Sequence, residues 1–434
     1  MINIKLNFFS KKKILIYGLG KSGLSAFEFL RKKSEVSLFD DFKLGIKNLN
    51  IKKKIIDYKE LLNSHFDFII LSPGIDIKKC KLSKFLKRNY KKVYSDLDVF
   101  YAYFRNDCIT ITGTNGKSTT CQLLYEIMRD QNLDVRLVGN IGNPILSSRN
   151  IKKKTILIVE ASSYQLEYSK IFRSKYAAIL NLSPDHIERH GTLNNYVKSK
   201  FKLLKNQTNR SLAFLKKDDL LISKELLRNK FFSKIIRVDT KKNNILLNTI
   251  NNKYFLSETN RENLFFVLEI LKKFKIKRNL LLKSIQKFEG LKFRQQIIFK
   301  KENLKIINDS KSTSFSSSLG LLKQYQNIHW ILGGIPKKGD KLILSKKYFN
   351  NISAYIYGNN KNFFIKKLKG KIKYEIFKNL KHTVNEVIKI AKKNQSIHQT
   401  ILFSPCAASF DTFKNFEERG HYFNKLIRKH LYGK

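Results

Sequence analysis

The residues with the clearest chemistry lie between positions 108 and 120, where a lysine and two hydroxyls follow a glycine-bounded loop. The run Cys108–Thr112 is rich in β-branched residues and predicts a buried strand, and an amphipathic helix begins near Lys117. Strand, loop and helix in this order predict a phosphate-binding loop, because loop N–H groups and a helix N-terminus attract anionic oxygens. The residues that would hold the phosphates are Gly113, Thr114, Asn115, Gly116, Lys117, Ser118 and Thr119.

Two side chains of this loop have specific chemical roles. Lys117 would reach the terminal phosphates of a nucleotide, and the Ser118 hydroxyl could ligate Mg²⁺. The glycine that usually stands five residues before Gly116 is replaced by Ile111, which indicates a subset of P-loop enzymes. An ordinary glycine-rich turn before a helix is the alternative, and it does not account for a lysine and two hydroxyls in register.

An acid and an imidazole follow two later strands. The near-continuous apolar runs Thr155–Val159 and Tyr176–Leu182 predict strands of a parallel sheet that is covered on both faces. Glu160 follows the first strand, and His186 lies shortly after the second. Ligands of such sheets bind beyond the carboxyl ends of the strands, so we expect both side chains at the edge that carries the phosphate-binding loop. They are candidate ligands of Mg²⁺ or Mn²⁺, although a single Glu or His is more often structural.

The first 75 residues contain a second nucleotide-type motif. The strand Lys13–Tyr17 leads into the turn Gly18–Gly23, and a second strand ends at Asp40. This is the pattern of a Rossmann-like βαβ unit, in which the acid binds a ribose. The same glycine spacing recurs in nucleotide-sugar and phosphate sites, so the motif alone leaves the ligand open. A third strand runs into Ser72–Ile75, which by itself is most simply a β-turn.

The elements that position these motifs predict an α/β fold. Predicted strands alternate with helices along most of the chain, which is typical of doubly wound sheets. Residues 214–255 give only short β-like runs separated by Lys/Asn turns. Since 434 residues exceed one ordinary core, we expect three domains. These are a Rossmann-like domain at 1–95, a central P-loop domain with a mostly parallel sheet at 96–289, and a second Rossmann-like domain at 290–434.

The net charge is strongly positive, because 86 Lys and Arg residues against 34 Asp and Glu residues give +52. Such a balance at first suggests a nucleic-acid partner. The lysines are spread from end to end, without an arginine-rich or aromatic-interleaved block, so no specific nucleic-acid interface is predicted. Some non-specific binding to polyanions at low salt is expected.

The cysteine and hydropathy patterns indicate a reducing, aqueous compartment. The four cysteines have neither metal-ligand nor disulfide-framework spacing. No apolar run is long enough to span a bilayer, and the lysine-interrupted start of the chain shows no signal-peptide cleavage pattern. We therefore expect a cytoplasmic protein without membrane insertion.

Together these motifs resemble the Mur ligase family of ATP-dependent amide-bond synthetases, and within it the member that adds D-glutamate. The resemblance covers nearly the full chain. The run Ser404–Gly420 is the most specific to this member, and the Asp-Asn-Pro-Arg motif of the lysine- and diaminopimelate-adding ligases is absent. The other motifs that carry the resemblance are Gly18–Gly23, Ser72–Ile75, Gly113–Thr119, Gly139–Gly142, Glu160–Leu166, Asp185–Gly191 and Asn308–Thr313.

The resemblance implies an enzyme of peptidoglycan synthesis that joins D-glutamate to UDP-N-acetylmuramoyl-L-alanine, using ATP and Mg²⁺. Separately, we expect a monomer. A carboxylate would attack the γ-phosphate of ATP, and the amine of D-glutamate would then attack the acyl phosphate. Because an acyl phosphate hydrolyses in water, the site must close before the reaction, and a hinge near Glu289–Arg294 fits that need.

The resemblance also assigns residues to each ligand. The catalytic residues would be Lys117, His186, Lys200 and Lys311. Lys200 matches a carbamylated lysine that orients a second Mg²⁺, although nothing in its local sequence distinguishes it from a solvated lysine. The metal ligands would be Ser118, Glu160, His186 and Lys200. The further ATP contacts would be Asn263, Arg294 and Asp309. The UDP-substrate contacts would be Gly20, Ser22, Asp40, Ser72, Gly74 and Asn140. The D-glutamate contacts would be Thr313, Lys337, Ser409 and Phe416.

Three places depart from the family pattern. Ser257–Asn260 stands where the family has Gly-x-His-Asn, and Phe293 replaces a histidine, and both changes concern the adenine side. Lys337 and Lys338 are adjacent, so the identity of the glutamate contact is open between them.

Other functions fit parts of the chain. A different Mur ligase or a folylpolyglutamate synthetase would share the P-loop, but the motifs Gly18–Gly23 and Ser404–Gly420 disfavour both. A P-loop ATPase stimulated by nucleic acid would account for the positive charge. An NAD-dependent enzyme would account for Gly18–Gly23 and leave the P-loop without a purpose.

Overall fold

Three sheets, each flanked by helices, form the framework of the chain in a computed structural model that describes residues 5–42, 48–241, 250–301, 303–337, 339–394 and 396–432. The described residues divide into two compact units. The first unit lies within 1–182, 189–250 and 263–285, and the second lies within 183–188, 251–262 and 286–434. The α/β fold class is therefore confirmed, while the three-domain boundaries stay a prediction.

The first sheet has the strand order β2-β1-β3-β4, and all its strands are parallel. Its strands are β1 (Lys13–Tyr17), β2 (Glu35–Phe39), β3 (Phe68–Leu71) and β4 (Val93–Tyr94). The helices of this region are α1 (Lys21–Leu30), α2 (Leu49–Lys52), α3 (Tyr58–Asn63), α4 (Ser83–Arg88) and α5 (Asp96–Tyr103).

The second sheet, also in the first unit, is fully parallel with the order β10-β9-β8-β5-β7-β6. Its strands are β5 (Cys108–Thr112), β6 (Val135–Gly139), β7 (Ile156–Glu160), β8 (Tyr176–Ile179), β9 (Leu212–Lys216) and β10 (Lys234–Val238). The helices in this part of the sequence are α6 (Lys117–Asp130), α7 (Ser163–Tyr168), α8 (Ile187–His190), α9 (Leu193–Lys205) and α10 (Leu220–Arg228). They are followed by α11 (Glu258–Leu271) and α12 (Arg278–Lys287).

The third sheet belongs to the second unit and has the order β11-β12-β16-β13-β14-β15. Only the edge strand β11 is antiparallel to its neighbour. The strands are β11 (Gln296–Lys301), β12 (Leu304–Asn308), β13 (Ile328–Gly333), β14 (Ile352–Tyr357), β15 (Lys373–Phe377) and β16 (Gln399–Phe403). The helices are α13 (Phe315–Gln324), α14 (Lys361–Leu368), α15 (Leu380–Lys393) and α16 (Phe416–Tyr432). Short 3₁₀ helices cover Tyr90–Lys92, Ile145–Ser147, Lys253–Leu256 and Lys346–Asn351.

Apolar cores on both faces of the sheets explain these continuous apolar strands. Trp330 and Leu332 of β13 belong to one buried cluster, and Ile331 between them belongs to another. Successive side chains of a strand point to opposite faces, so helices must cover the third sheet on both sides. The apolar face predicted for α6 is likewise buried, including Leu123 and Ile127.

The helix α10 is a correction to the sequence prediction, which gave only short β-like runs for residues 214–255. Asp219 caps this helix by accepting hydrogen bonds from the backbone N–H groups of Leu221 and Ile222. Ile222 is buried, and Leu221 and Leu226 are partly buried against the same core, so the helix has an apolar face toward the unit. Leu220 and Leu227 lie on its exposed side.

Candidate active site

The phosphate-binding loop between β5 and α6 is held by a residue from a neighbouring strand end. The backbone N–H groups of Thr114 and Asn115 donate to the carbonyl and the side-chain oxygen of Asn181, each at 2.9 Å. Asn181 follows β8, which pairs directly with β5. Sequence reasoning missed this residue, because no local signal separates it from any polar residue after a strand.

Helix α6 begins at the loop without a side-chain cap. Gly116, the N-cap, has φ of 84°, a conformation that favours glycine, and it has no side chain to accept from the first N–H groups. By contrast, Thr192 caps α9 through its side chain. The N-terminal N–H groups of α6 therefore have no capping oxygen from the N-cap side chain, which is the arrangement that anions use.

Lys117 lies folded over the loop. Its Nζ donates to the carbonyl oxygens of Gly113 and Thr114 at 2.9 Å and 2.8 Å. The ammonium group is thus held next to the backbone that a phosphate would contact.

A second lysine reaches the same loop from helix α9. Lys200 is buried, and its Nζ donates to the Gly113 carbonyl at 2.9 Å and to Thr112 Oγ1 at 3.4 Å. It also lies 4.8 Å from the ring centroid of Tyr196, whose hydroxyl is 2.9 Å from Thr114 Oγ1. Helix α9 therefore places a cation and a phenol directly against the phosphate-binding loop.

Glu160 presents a carboxylate oxygen that is unpaired within the part of the chain that the structure describes. Its Oε1 accepts a hydrogen bond from Asn140 Nδ2 at 2.6 Å, while the buried Oε2 has no hydrogen-bond partner among the described residues. Glu160 pairs with Ile111 in the register of β7 against β5, two residues before Gly113. Buried carboxylate oxygens are normally paired, so Oε2 is available to a cation or to a donor that is not part of the chain.

The oxygen donors near the loop fit Mg²⁺. The buried Ser118 hydroxyl and Glu160 Oε2 are hard oxygen ligands, which this ion prefers. Within the described residues, no group of three or more His, Cys, Asp or Glu side chains could hold a metal ion. Mg²⁺ that is bound to nucleotide phosphates needs only one or two carboxylates from the protein, so the two observations agree.

Asn263 of α11 lies against the loop as well. A side chain at Gly116 would clash with the Asn263 carboxamide, which shows how closely the two residues approach. The Nδ2 of Asn263 is buried without a hydrogen-bond partner. An unsatisfied donor beside a phosphate-binding loop is suited to a nucleotide oxygen.

In the first sheet, the predicted UDP-substrate residues shape the glycine turn. Asp40 accepts hydrogen bonds from the backbone N–H groups of Leu19 at 2.6 Å and Phe42 at 3.0 Å, so both of its oxygens are engaged. Ser72 Oγ donates to the Gly18 carbonyl at 2.6 Å. Gly20 is the N-cap of α1 and has no side chain there, Ser22 lies in the first turn of that helix, and Gly74 is exposed.

The second unit contains the remaining predicted residues, including His186. His186 has φ of 52°, and its ring nitrogens lie 3.4 Å from Asp185 and 3.6 Å from Glu188. The Nζ of Lys337 forms an ion pair with Asp185, whose side chain is mostly buried. Lys338, the alternative glutamate contact, lies outside the described residues.

Asp309 is a buried carboxyl at the end of β12. It accepts from Ser404 Oγ at 2.8 Å and from the Gln295 backbone N–H at 3.1 Å. Burial raises the pKa of Asp309 to about 7, and these hydrogen bonds together with the nearby positive charges of Arg294 and Arg419 only partly oppose it. The Asp309 carboxyl group is therefore partly protonated near neutral pH.

The predicted D-glutamate residues occupy loops at neighbouring strand ends of the third sheet. Lys311 Nζ lies 4.2 Å from the ring centroid of Phe416, which begins α16. Lys311 and Thr313 follow β12, Lys337 follows β13, and the buried Ser409 follows β16. The order β12-β16-β13 puts the carboxyl ends of these three strands side by side.

The departure at Phe293 has a packing explanation. The Phe293 ring is buried, lies 4.7 Å from the His421 ring, and occupies the space that a side chain at Gly420 would need. The departure at Thr259 lies beside Gly320, whose added Cβ would be 3.1 Å from the Thr259 hydroxyl. Both residues therefore pack within the second unit.

No helix among the described residues combines the length and the apolar character that crossing a membrane requires.

Comparison with known proteins identifies the family. The sequence model of the Mur ligase middle domain matches residues 111–282. The UDP-N-acetylmuramoylalanine–D-glutamate ligase of Rickettsia felis is 34% identical over 98% of this chain and 99% of that protein. The enzyme of the same name from Lachnoclostridium phytofermentans is 30% identical over 97% of this chain and 99% of that protein.

Solved structures show the same fold. The MurF ligase of Thermotoga maritima in complex with ADP has a TM-score of 0.60 at 14% identity, over 97% of this chain and 96% of that one. The MurC ligase of the same organism has a TM-score of 0.58 at 15% identity, over 98% and 100%. These structures show an α/β fold of the same kind, and the sequence relatives show that the chain is an ATP-dependent ligase. The chain belongs to the Mur ligase family.

Proposed function

We propose that this enzyme joins D-glutamate to UDP-N-acetylmuramoyl-L-alanine in the cytoplasmic stage of peptidoglycan synthesis. The similarity to D-glutamate ligases over nearly the whole chain supports the choice of substrates. The observation that carries the chemistry is the phosphate-binding loop, which is contacted by Lys117 and Lys200 and has the unpaired Glu160 oxygen beside the strand that leads into it.

The first step would activate the carboxylate of the UDP-linked substrate. A carboxylate oxygen attacks the γ-phosphorus of ATP, the bond to the bridging oxygen breaks, and ADP leaves with that electron pair. Lys117 would stabilise the charge on the transferring phosphoryl oxygens, and Asn263 would contact the nucleotide. Bound Mg²⁺, held by Ser118 and Glu160 with His186 as a further candidate ligand, would neutralise phosphate charge.

The second step would form the amide. The uncharged amine of D-glutamate attacks the acyl carbon, phosphate leaves, and the amine loses a proton. Lys311, Thr313, Lys337, Ser409 and Phe416 are the proposed contacts of D-glutamate. Arg294 and Asp309 are the proposed further contacts of ATP. The UDP end would lie against Gly20, Ser22, Asp40, Ser72 and Gly74, with Asn140 near the reacting carboxylate.

Lys200 is proposed to act as a carbamate. The ammonium group would first lose a proton, and the neutral amine would then add to carbon dioxide and lose a second proton, which turns a buried cation into an anion. An anion beside the phosphate-binding loop is compatible with a second Mg²⁺, whose charge it would balance.

We further propose that the enzyme is a monomer, which sedimentation of the purified protein tests.

One assay tests the proposed reaction. Phosphate release from ATP is measured with UDP-N-acetylmuramoyl-L-alanine present, in parallel reactions with and without D-glutamate. Sustained turnover is expected only when both substrates are present. Phosphate release at the same rate with and without D-glutamate, or release that nucleic acid stimulates instead, would refute the proposed function. L-glutamate and D-aspartate serve as matched controls for the identity of the acceptor.

A further inference from the structure

Arg419, the fourth residue of α16, is a buried cation that has no role in the proposed chemistry. Only about 1% of the residue is exposed. Within the described part of the chain its hydrogen bonds go to carbonyl and hydroxyl oxygens. The carboxyl groups of Asp309 and Asp411 are near enough to interact with its charge but do not form an ion pair with it among the described residues, so the cost of burying the guanidinium group is only partly offset.

The guanidinium group joins two loops to the start of its own helix. Its Nε donates to Ser310 Oγ at 3.1 Å, and its Nη2 donates to the carbonyls of Ser310 at 2.6 Å and Ala407 at 2.9 Å. Ser310 Oγ in turn donates to the Phe416 carbonyl at 2.9 Å. The loops after β12 and β16 are thereby tied to the first turn of α16.

The remaining nitrogen faces the third loop. Among the described residues, the buried Nη1 of Arg419 makes no well-formed hydrogen bond, although the Tyr357 hydroxyl interacts with the guanidinium group, and a Cβ placed on Gly334 would lie 3.1 Å from Nη1. Gly334 follows β13, and the next residue, Ile335, exchanges two backbone hydrogen bonds of 2.9 Å with Ala408. Arg419 therefore lies beneath the point where the loops after β13 and β16 meet.

Each of these loops carries a proposed contact of the amino acid. Ser310 directly precedes Lys311, Ala407 lies two residues before Ser409, and Gly334 lies three residues before Lys337. A shift of one loop by about an ångström is enough to lose a positioned contact. One planar group with several fixed donors can tie the loops after β12 and β16 together while it packs against the loop after β13, whereas a single ammonium cannot.

We propose that Arg419 is a positioning residue that sets the geometry of the amino-acid pocket and thereby the affinity for D-glutamate. This inference rests on the proposed function. Arg419 acts through Lys311, Lys337, Ser409 and Phe416 and does not itself contact the substrate.

The test compares Arg419→Lys and Ser310→Ala with a control, Tyr355→Phe. Arg419→Lys keeps the charge and loses the forked contacts, and Ser310→Ala removes only the hydroxyl that links Arg419 to Phe416. Tyr355→Phe removes a different buried hydrogen bond of the same sheet, the 3.0 Å contact with His329. The KM for D-glutamate should rise about tenfold or more in Arg419→Lys and about threefold in Ser310→Ala, since a hydrogen bond to a charged group carries this much affinity.

The KM for ATP and for the UDP-linked substrate should stay within about twofold in all variants, and Tyr355→Phe should leave all three KM values unchanged. A merely structural role would lower the melting temperature without this selective change. Unchanged KM for D-glutamate in Arg419→Lys would overturn the inference. If that variant does not fold, an unchanged KM in Ser310→Ala would overturn it. If phosphate release by the wild-type enzyme does not depend on D-glutamate, the proposed function is refuted instead. The two failures are therefore distinguishable.

Discussion

Lys200 donates a hydrogen bond of 2.9 Å to the carbonyl of Gly113, and the two residues lie 87 positions apart in the chain. The contact joins the middle of α9 to the first residue of the phosphate-binding loop. Since Lys117 also donates to this carbonyl, one backbone oxygen holds two lysines at the site where phosphate charge is expected.

Lys117→Ala is expected to lower kcat by about a hundredfold to a thousandfold, the usual cost of removing a preorganised charge that stabilises a transition state. Binding of the UDP-linked substrate should remain, because the residues proposed to hold its UDP end lie around the first sheet. Calorimetric titration and phosphate release measure the two effects. Lys224→Ala, a change of an exposed lysine in α10, is the control. Normal ATP consumption by Lys117→Ala would contradict the phosphate role.

Lys200→Arg separates a carbamate from a simple cation. The guanidinium group keeps the positive charge and cannot form the proposed carbamate, so we expect activity to fall at least about a hundredfold. Lys202→Met, which alters another lysine of α9 that is partly exposed, is the control for packing. A second variant, Lys200→Met, removes the amine altogether. In ¹³C NMR spectra recorded with ¹³C-bicarbonate, the wild-type protein should show a carbamate carbon signal that both Lys200→Arg and Lys200→Met lack. A fully active Lys200→Arg would exclude the carbamate.

Glu160→Gln is expected to weaken Mg²⁺ binding and to stabilise the protein in the absence of Mg²⁺. The neutral amide keeps the contact with Asn140 and removes a buried charge whose Oε2 has no partner, so the free energy of unfolding without Mg²⁺ should rise by about 1 kcal/mol. The Mg²⁺ concentration for half-maximal activity should increase. Glu225→Gln changes another buried glutamate, which accepts from Asn229, and should leave the Mg²⁺ requirement unchanged. Equal Mg²⁺ requirements in the wild type and Glu160→Gln would argue against this ligand.

Asp309→Asn should change the pH dependence of stability. The pKa of Asp309 is raised to about 7 in the folded protein by burial, so between about pH 4 and pH 7 the folded state holds a proton that the unfolded state has lost. Stability from this group is therefore present at low pH and lost as pH rises through the folded pKa. The melting temperature of Asp309→Asn minus that of the wild type should increase from pH 5 to pH 7 and then level off. A difference that is constant with pH would contradict the raised pKa.

Gly116→Ala should destabilise the protein more than Gly370→Ala. Both glycines have positive φ, 84° and 72°, so each alanine pays the left-handed backbone penalty of about 1–2 kcal/mol. The added Cβ meets the Asn263 carboxamide at Gly116 and open space at Gly370. Urea unfolding compares the two variants, and the KM for ATP should rise only in Gly116→Ala. Equal losses of stability would mean that Asn263 gives way without cost.

The α/β class and the elements around the phosphate-binding loop were predictable because they depend on contiguous residues. An apolar run, a glycine pair and Gly-Lys-Ser-Thr follow one another in the chain. The strand, the loop and the helix N-terminus that they form are therefore neighbours without any long-range contact. The burial of Leu123 and Ile127 also follows from helical spacing alone. Helix α10 was missed because its first residues, Leu220–Ile222, are a short apolar run, which by itself does not distinguish a helix from a strand, and because two of its leucines are exposed.

The sequence alone established a parallel α/β chain with a phosphate-binding loop, and its family resemblance supplied the expected substrates. The partners of that loop come from distant positions. Asn181 holds the loop backbone, Asn263 lies against Gly116, and Lys200 reaches Gly113, yet each reads as an ordinary polar residue in its local sequence. The burial of Arg419 among three strand-end loops likewise depends on the order β12-β16-β13. Long-range packing determines whether a lysine or arginine is solvated or buried at a site. The local sequence pattern therefore does not predict which of these residues are buried.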